Sequence, residues 1–292
     1  MTRADLTGKT ALVTGANQGI GKVSALELAR MGAAVTMVCR SEEKGRAARE
    51  EIVAQVKDAA VELIVGDVSS LASLRDVAQR FLDGHERLDI LLNNAGVLAT
   101  SRRESKDGFE HTFATNHLGY FYLTHLLRTT IEKTPGARVV SVSSEAHRSG
   151  KIDFDDLQGR KRWSAIGSYS ASKLANVLFT RELARQWAGT GVTANCLHPG
   201  VIASGFASTD GGFAALLARI ARPFLATTED GAKTQIYLCS SPDVAKISGK
   251  YFDKSKERQP SRAAQDDAVA RDLWTVSEEL CGLKGGVSTM DA

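Results

Sequence analysis

The chain is poor in proline and cysteine and has no long hydrophobic run. Only 5 of its 292 residues are Pro and 4 are Cys. No apolar stretch reaches the roughly 20 residues that a membrane helix needs. The first residues, 1–9, are polar and show no signal-peptide or transit-peptide pattern. We therefore expect a cytoplasmic protein with no membrane span.

The cysteines and the charge exclude further classes of protein. The four Cys residues show neither C-x-x-C nor metal-ligand spacing, which predicts free thiols in a reducing compartment and no metal site. A formal net charge of +3 is too small to indicate nucleic acid as a partner. With 43% hydrophobic and 24% charged residues, the composition is that of a soluble globular protein. We predict one domain over residues 1–292.

Short apolar runs alternate with helical patterns along the chain. Continuous apolar strands separated by helices indicate a parallel sheet that is covered on both faces. The predicted strands are Thr10–Thr14, Ala34–Cys39, Val61–Val65, Leu88–Leu92, Ala137–Val142 and Val192–Leu197. The predicted helices are Ile20–Met31, Glu42–Val56, Leu71–Leu82, Asp107–Ile131 and Ser164–Trp187.

A glycine-rich turn joins the first strand to the first helix. Gly15 allows a tight turn, Gly19 lets the backbone approach a pyrophosphate at the helix N-terminus, and Gly21 permits close helix packing. A purely structural turn is the alternative, but the strand-turn-helix context favours a dinucleotide site. The fold predicted is thus an α/β, Rossmann-type doubly wound parallel sheet of about seven strands. Its cofactor contacts are predicted at Gly15, Asn17, Gln18, Gly19 and Ile20.

The end of the second strand indicates which dinucleotide binds. An acid there would bind a ribose 2′-hydroxyl and repel a 2′-phosphate. This chain has Cys39 and Arg40 instead, with Lys44 one turn later. Because a guanidinium suits a phosphate, we predict NADP(H), although Arg40 could merely lie at the surface.

Polar or small residues follow two further strands. Asp67 and Val68 follow the third strand, where they could bind an adenine; Asp67 could also cap a helix. Asn94, Ala95 and Gly96 follow the fourth strand, where small residues let the backbone pass close to a ligand. A simple turn fits this second group almost as well.

Tyr169 and Lys173 are spaced to lie on one face of a helix, one turn apart. An ammonium favours a nearby phenolate, so the pair could exchange a proton near neutral pH. A surface Tyr beside a solvated Lys is the alternative for so short a pattern. Ser144 ends the fifth strand, at the edge where ligands bind in such folds, but could be a cap. His198 is interpreted as structural or pocket-lining.

Together these motifs resemble the short-chain dehydrogenase/reductase family, in its single-domain group. The resemblance rests on Thr14–Gly21, Asn93–Gly96, Asn116, Ser144, Tyr169, Lys173 and Pro199-Gly200, all in the family's order. Within it the chain resembles the retinol dehydrogenase-like branch. The shared features are Val38-Cys39-Arg40, the interval of 25 residues between Ser144 and Tyr169, Ser172–Asn176, Asp272-Leu273-Trp274 and Ser277–Leu280. Many relatives there carry an N-terminal membrane segment, which these first residues do not show.

The resemblance implies roles for the matching residues. Tyr169 would be the general acid/base, and Lys173 would lower its pKa and bind the nicotinamide ribose. Ser144 would hydrogen-bond the substrate oxygen, and Asn116 would distort its helix and hold a water that relays protons through Lys173. The catalytic set is thus Asn116, Ser144, Tyr169 and Lys173, and further cofactor contacts fall at Tyr169, Lys173, Pro199, Gly200 and Val201.

Substrate specificity is expected in two segments. The first is Glu145–Ile166, a polar insert that carries Phe154 and Trp163. The second is a lid over residues 201–226, with an apolar stripe that could instead be core or a membrane-surface helix. The stripe consists of Phe213, Leu216, Leu217, Ile220 and Phe224. A tail covers residues 253–292.

The function expected is an NADP(H)-dependent exchange between a carbonyl and an alcohol on a small apolar substrate. Alternatives are a sugar-nucleotide epimerase or dehydratase, which usually shows G-x-x-G-x-x-G and a larger C-terminal domain, and a non-catalytic NADP-sensing regulator, which typically loses the Tyr. Besides the small-molecule carbonyl or alcohol, the expected partners are copies of the chain in a homodimer or homotetramer.

Overall fold

Eight strands form one sheet in the part of the chain that the computed structural model describes, residues 4–200 and 227–283. They are β1 (Thr10–Thr14), β2 (Ala34–Cys39), β3 (Val61–Val65), β4 (Ile90–Asn93), β5 (Arg138–Val142), β6 (Thr193–His198), β7 (Tyr251–Asp253) and β8 (Lys256–Arg258). The helices are α1 (Gly19–Arg30), α2 (Glu42–Gln55), α3 (Leu71–Gly84), α4 (His111–Phe113), α5 (Gly119–Leu126), α6 (Arg128–Lys133), α7 (Ala165–Gln186), α8 (Thr228–Ser240) and α9 (Asp267–Leu280).

The sheet has the order β3-β2-β1-β4-β5-β6-β7-β8. β1 to β7 pair in parallel, which confirms the predicted α/β class, and β8 pairs antiparallel to β7. The sequence pattern located neither β7 nor β8, a short hairpin that extends the sheet beyond β6. Between β1 and β4 the strand order reverses direction. Ligands bind at such a switch point, beyond the carboxyl ends of the strands.

Two apolar cores lie on the two faces of the sheet. One packs α3, α5, α7 and α9 against the sheet, with Phe121, Phe179 and Trp187 among its buried side chains. The other packs α1, α2 and α8, with Leu28, Ile52 and Leu238. Strands buried on both faces must be apolar throughout, which explains their continuous runs in the sequence.

The predicted helix Asp107–Ile131 is wrong in its start and its continuity. Glu110 accepts the Phe113 N–H at 2.7 Å, so the helix begins at His111. Residues Ala114–Leu118 form a π-helical turn, and a further break separates α5 from α6 at Leu127. The fourth strand lies two residues later than predicted at its start. The bounds of the other predicted elements differ from the observed ones by no more than two residues.

Several sequence predictions lie outside the described residues. These are the lid over 201–226 with its apolar stripe, the cofactor contact at Val201 and the end of the tail. The single domain over 1–292 therefore stays a prediction. Within 4–200 and 227–283, no helix is long and apolar enough to cross a membrane.

Candidate active site

The glycine-rich turn lies at the switch point, where it is fastened to the end of β4. Thr14 Oγ1 accepts the backbone N–H groups of Asn94 at 2.9 Å and Ala95 at 3.0 Å. The side-chain amide of Asn94 donates to the Thr14 carbonyl at 2.8 Å. The segment after β4 is therefore more than a simple turn, because it is hydrogen-bonded to the end of β1 at the switch point.

At Gly15 and Gly21 there is no room for a side chain. Gly15 has a φ of +67°, and a Cβ there would lie 2.9 Å from the Ala95 Cα. A Cβ on Gly21 would collide with the Gly15 carbonyl. The Gln18 side chain makes no capping hydrogen bond at the start of α1, so it leaves the first N–H groups of this helix able to bind an anion.

The end of β2 presents no negative charge to the groove. The Cys39 side chain is buried, which raises the pKa of its thiol to about 11 although a hydrogen bond from the Ala16 backbone lowers it. The thiol is therefore neutral at pH 7. Arg40 and Lys44 follow it with exposed side chains. Glu42 and Glu43 lie between these two cations in the first turn of α2, so Arg40, directly after the neutral strand end, is the side chain that fits a phosphate better than a ribose hydroxyl.

Asp67 does not cap a helix. The cap of α3 is Ser70, which accepts the Ser73 N–H. Asp67 Oδ1 instead accepts the N–H of Ser69 at 2.9 Å and its hydroxyl at 2.7 Å, which orders the loop after β3. Val68 packs closely against the start of α5, where a Cβ on Gly119 would lie 2.5 Å from the Val68 carbonyl oxygen. The loop predicted to bind adenine is thus rigidly placed.

Asn116 lies inside the π-helical turn and is fully buried. Its Oδ1 accepts the Val97 N–H at 2.7 Å, and its Nδ2 donates to the Val97 carbonyl and to Ser172 Oγ, each at 2.9 Å. The Gly119 N–H donates to the carbonyl of Ala114, five residues earlier, whereas an α-helix would bond to the residue four positions earlier. Asn116 thereby ties the loop after β4 to α7.

The structure brings Ser144, Tyr169 and Lys173 together at the carboxyl edge of β5. Ser144 and Tyr169 are joined by a side-chain hydrogen bond. The Lys173 Nζ lies 5.6 Å from the centre of the Tyr169 ring and donates to the Val142 carbonyl at 3.0 Å. Ser144 also accepts the Ala146 N–H at 3.2 Å, so it caps a short 3₁₀ turn while facing the phenol. A surface location for the Tyr–Lys pair is excluded, since only 2% of Lys173 is exposed.

Burial dominates the electrostatics of this group. It raises the pKa of the Tyr169 phenol, and the hydrogen bond with Ser144 lowers it. It also lowers the pKa of Lys173 to about 7. The sequence predicted that Lys173 lowers the pKa of Tyr169, but in the structure Ser144 is the group that does so. At neutral pH the phenol carries its proton and is a proton donor.

Comparisons with known proteins identify the family. A family model described as short chain dehydrogenase matches residues 9–211. The chain belongs to the short-chain dehydrogenase family. Retinol dehydrogenase 12 of Mus musculus is 45% identical over 283 residues, which are 97% of this chain and 89% of that protein. Retinol dehydrogenase 14 of Homo sapiens is 41% identical over 297 residues, covering 94% and 87%. These relatives confirm the predicted branch.

Solved structures of two bacterial proteins agree with this assignment. An uncharacterized protein from Mycobacterium Paratuberculosis is 34% identical to this short-chain dehydrogenase, with a TM-score of 0.78 and 96% of each chain covered. A short chain dehydrogenase from Shigella flexneri 2a, solved in complex with NADP, is 25% identical with a TM-score of 0.69, covering 87% of this chain and 100% of that one. The predicted fold is confirmed.

Other predicted residues of the short-chain dehydrogenase site lie after β6. Pro199 and Gly200 are partly buried there, and Gly200 has a φ of +88°. The His198 ring is partly buried, and its Nδ1 has no partner among the described residues. It lies near Glu145 and Asp253, and its interpretation as a structural or pocket-lining residue stays a prediction.

Glu110 is a buried residue that the sequence reading missed. Its Oε2 accepts the Phe113 N–H at 2.7 Å and the Ser168 hydroxyl at 2.8 Å, and its Oε1 accepts the Trp163 indole N–H at 3.3 Å. Its own N–H donates to Gln158 Oε1 at 2.7 Å. This carboxylate anchors the insert to the residue before Tyr169. The feature of the sequence that could have indicated Glu110 is its place as an acidic residue directly before a helical segment.

Glu110→Ala is expected to lower the free energy of unfolding by about 3 kcal/mol. The change removes hydrogen bonds to a charged acceptor, each worth about 1.5–3 kcal/mol, and leaves buried donors without partners. Glu110→Gln keeps a side-chain oxygen for the Phe113 N–H and should cost less than half as much. Urea unfolding of both variants measures the difference, and equal losses would show that the carboxylate does not carry these contacts.

Proposed function

We propose that this enzyme uses NADP(H) to interconvert a carbonyl and an alcohol on a small apolar substrate. The observation that carries the proposal is the hydrogen-bonded pair of Ser144 and Tyr169, with Lys173 beside it, at the sheet edge next to the glycine-rich turn. The homodimer or homotetramer expected from the sequence is likewise a proposal, which light scattering of the purified chain would decide.

The groove fits a dinucleotide. The side-chain-free turn at Gly15 and Gly19 would hold the pyrophosphate against α1, and the loops at Asp67 and Asn94 would line the adenosine and nicotinamide halves. The neutral thiol of Cys39 and the exposed Arg40 support NADP(H) over NAD(H). The NADP in the Shigella flexneri relative supports the same choice. When bound, the nicotinamide would supply or accept the hydride.

The residues of the chain supply the proton. Tyr169 is protonated at neutral pH, so it can donate its proton to the carbonyl oxygen of the substrate as the alcohol forms. The Ser144 hydroxyl, already hydrogen-bonded to that phenol, can donate to the same oxygen and stabilise the charge that develops on it. In the reverse direction the tyrosinate accepts the alcohol proton.

Asn116 and Lys173 would support these two residues. The Asn116 amide donates to Ser172 Oγ, which in turn donates to the Tyr169 backbone carbonyl at 2.7 Å. These two hydrogen bonds fix the position of the α7 turn that carries Tyr169 relative to Asn116. The buried Lys173 amine can donate to the ribose hydroxyls as well as to Val142. The water relay through Lys173 stays a prediction.

An apolar substrate agrees with two exposed apolar side chains in the segment Glu145–Ile166, where substrate specificity is expected. Ile166 lies three residues before Tyr169 on α7, and its side chain is 73% exposed. Phe154 of the insert is 40% exposed. Retinol, which the names of the relatives contain, is one candidate of this class.

A panel of aldehydes and ketones with NADPH and NADH tests the proposal. It should include retinal, aliphatic aldehydes, sugars and a nucleotide sugar. Reduction of apolar carbonyls with NADPH supports the proposal. Turnover of only the nucleotide sugar would favour an epimerase or dehydratase, and NADPH binding without any turnover would favour a sensing regulator.

Arg40→Ala is expected to lower kcat/KM for NADPH by about ten- to a hundredfold and to leave that for NADH almost unchanged. A hydrogen bond to a charged group contributes about 1.5–3 kcal/mol, and each 1.4 kcal/mol is a factor of ten. Lys44→Ala is a matched control that removes a cation one turn away and should have a smaller effect.

The double change Cys39→Asp and Arg40→Ala should move the preference toward NADH, since it adds a carboxylate that repels a 2′-phosphate. The measurement is kcat/KM for both cofactors in the wild type and each variant. A wild type that already prefers NADH, or an Arg40→Ala variant that loses activity with both cofactors equally, would show that Arg40 does not bind the 2′-phosphate.

A further inference from the structure

His147 is a fully buried side chain with no role in the proton transfer described above. It lies in the 3₁₀ turn Glu145–Ser149, which directly follows Ser144. Its Nδ1 lies 2.7 Å from the Ser144 backbone carbonyl, and its Nε2 lies 3.1 Å from the Ser261 backbone N. The ring thus connects the proposed substrate-binding serine to a segment 114 residues later.

These contacts define the tautomer of the ring. A carbonyl oxygen can only accept, so Nδ1 carries the hydrogen; the Ser261 N–H can only donate, so Nε2 is the acceptor. The neutral Nδ1–H form satisfies both contacts, whereas an imidazolium would direct a second N–H at the Ser261 N–H. Burial is the largest effect and lowers the pKa of His147; the hydrogen bond to the Ser144 carbonyl and nearby Glu145 raise it, and Arg148 and His198 lower it further. The neutral form is therefore present at pH 7.

The rest of the turn is held by the same distant segment. The Tyr251 hydroxyl donates to Glu145 Oε1 at 2.9 Å, and Arg148 donates to the Gln259 carbonyl at 3.0 Å. The His147 ring also packs 4.8 Å from the ring of Tyr251. Of the side-chain contacts that hold this turn, the one from His147 Nδ1 is made to Ser144 itself. The others fix the turn around it.

We propose that His147 is a positioning residue, which holds the Ser144 backbone so that the serine hydroxyl meets the substrate oxygen. This rests on the proposed function of Ser144. The Ser144 side chain has little freedom of its own, because it also accepts the Ala146 N–H and bonds with Tyr169. A shift of its backbone therefore moves the hydroxyl directly, and a displacement of about 1 Å at a reacting centre can cost roughly a hundredfold in rate.

Two substitutions separate the two contacts of the ring. His147→Asn places an amide N–H near the position of Nδ1 and keeps the contact with Ser144. His147→Gln places an amide oxygen near Nε2 and keeps the contact with Ser261. We expect kcat to fall by roughly ten- to a hundredfold in His147→Gln and by less than threefold in His147→Asn. The dissociation constant for NADPH should stay within about twofold of the wild-type value in both.

The measurements are kcat with the best carbonyl of the panel, NADPH binding by fluorescence and the melting temperature. If the role of His147 is merely structural, kcat and the melting temperature will fall together and by similar amounts in both variants. Either that outcome or a larger loss of kcat in His147→Asn than in His147→Gln would overturn the proposal. If the wild type reduces no carbonyl, the proposed function fails. In that case ¹⁵N-histidine NMR tests the contacts of His147 separately. Any form of the ring other than the Nδ1–H tautomer would overturn the proposed position of His147.

Discussion

Tyr169→Phe is expected to lower kcat for carbonyl reduction by about 10²–10⁴-fold, the contribution of general acid–base catalysis. The change removes only the hydroxyl that donates the proton, and the ring continues to pack beside Lys173. NADPH binding should therefore stay nearly intact. Stopped-flow or steady-state rates with a good carbonyl substrate, together with a binding titration, measure the two effects separately. Residual turnover above roughly a hundredth would assign the proton transfer to another group.

Tyr120 offers a matched control for this experiment. Its ring lies 5.9 Å from the same Lys173 Nζ, and its hydroxyl is buried without a partner among the described residues. Tyr120→Phe removes the same atom from the neighbouring ring and leaves no hydrogen bond broken. It should preserve kcat within about threefold and should not destabilise the protein, because an unpaired buried hydroxyl costs about 1–3 kcal/mol. A large loss of activity here would place Tyr120 in the proton path.

Strands β1 to β6 and the helices α1, α2, α3 and α7 could be predicted because each carries a local signal. A strand buried on both faces is apolar throughout, and Gly15 and Gly21 are needed by the turn between β1 and α1. The π-helical turn at Asn116 could not be located from its residues, since its defining feature is one backbone bond from Gly119 to Ala114. The antiparallel β8 was missed because three exposed residues carry no apolar pattern.

The residues of the candidate site also fall into those that local spacing predicts and those that it does not. Tyr169 and Lys173 are four residues apart on one helix, so spacing alone places them together. Glu110 and His147 bind partners 48 to 114 residues away, and no local pattern reports such contacts. The directions of the pKa shifts were also hidden, because they follow from how deeply each group is buried. The sequence indicates which groups could meet, and packing decides the charge each group carries.

Lys173→Met is expected to lower kcat by more than a hundredfold and yet to stabilise the cofactor-free protein. Burial lowers the pKa of Lys173 from 10.5 to about 7, so folding is opposed by the cost of placing this amine in the core. Met has a similar length and no charge. The Val142 carbonyl keeps a second donor, the Asn176 side chain at 3.1 Å, so no buried acceptor is left without a partner. The loss of activity follows from the loss of the amine beside Tyr169.

The gain in stability should depend on pH in a defined way. Between pH 7 and 10.5 the unfolded chain binds one more proton at Lys173 than the folded protein does. The free energy of unfolding of the wild type therefore gains about 1.4 kcal/mol per pH unit from this site over that range, while Lys173→Met has no such gain. The advantage of the variant is largest at pH 7 and below, and should shrink by about 3 kcal/mol by pH 9.

Urea unfolding of the cofactor-free wild type and Lys173→Met between pH 6 and 9 measures this dependence. Lys57→Met makes the same substitution at an exposed lysine and is the matched control. If the difference between wild type and Lys173→Met does not vary with pH over this range, Lys173 keeps its charge in the folded protein. The ammonium would then be available to lower the pKa of Tyr169, as its position one turn along α7 first suggested.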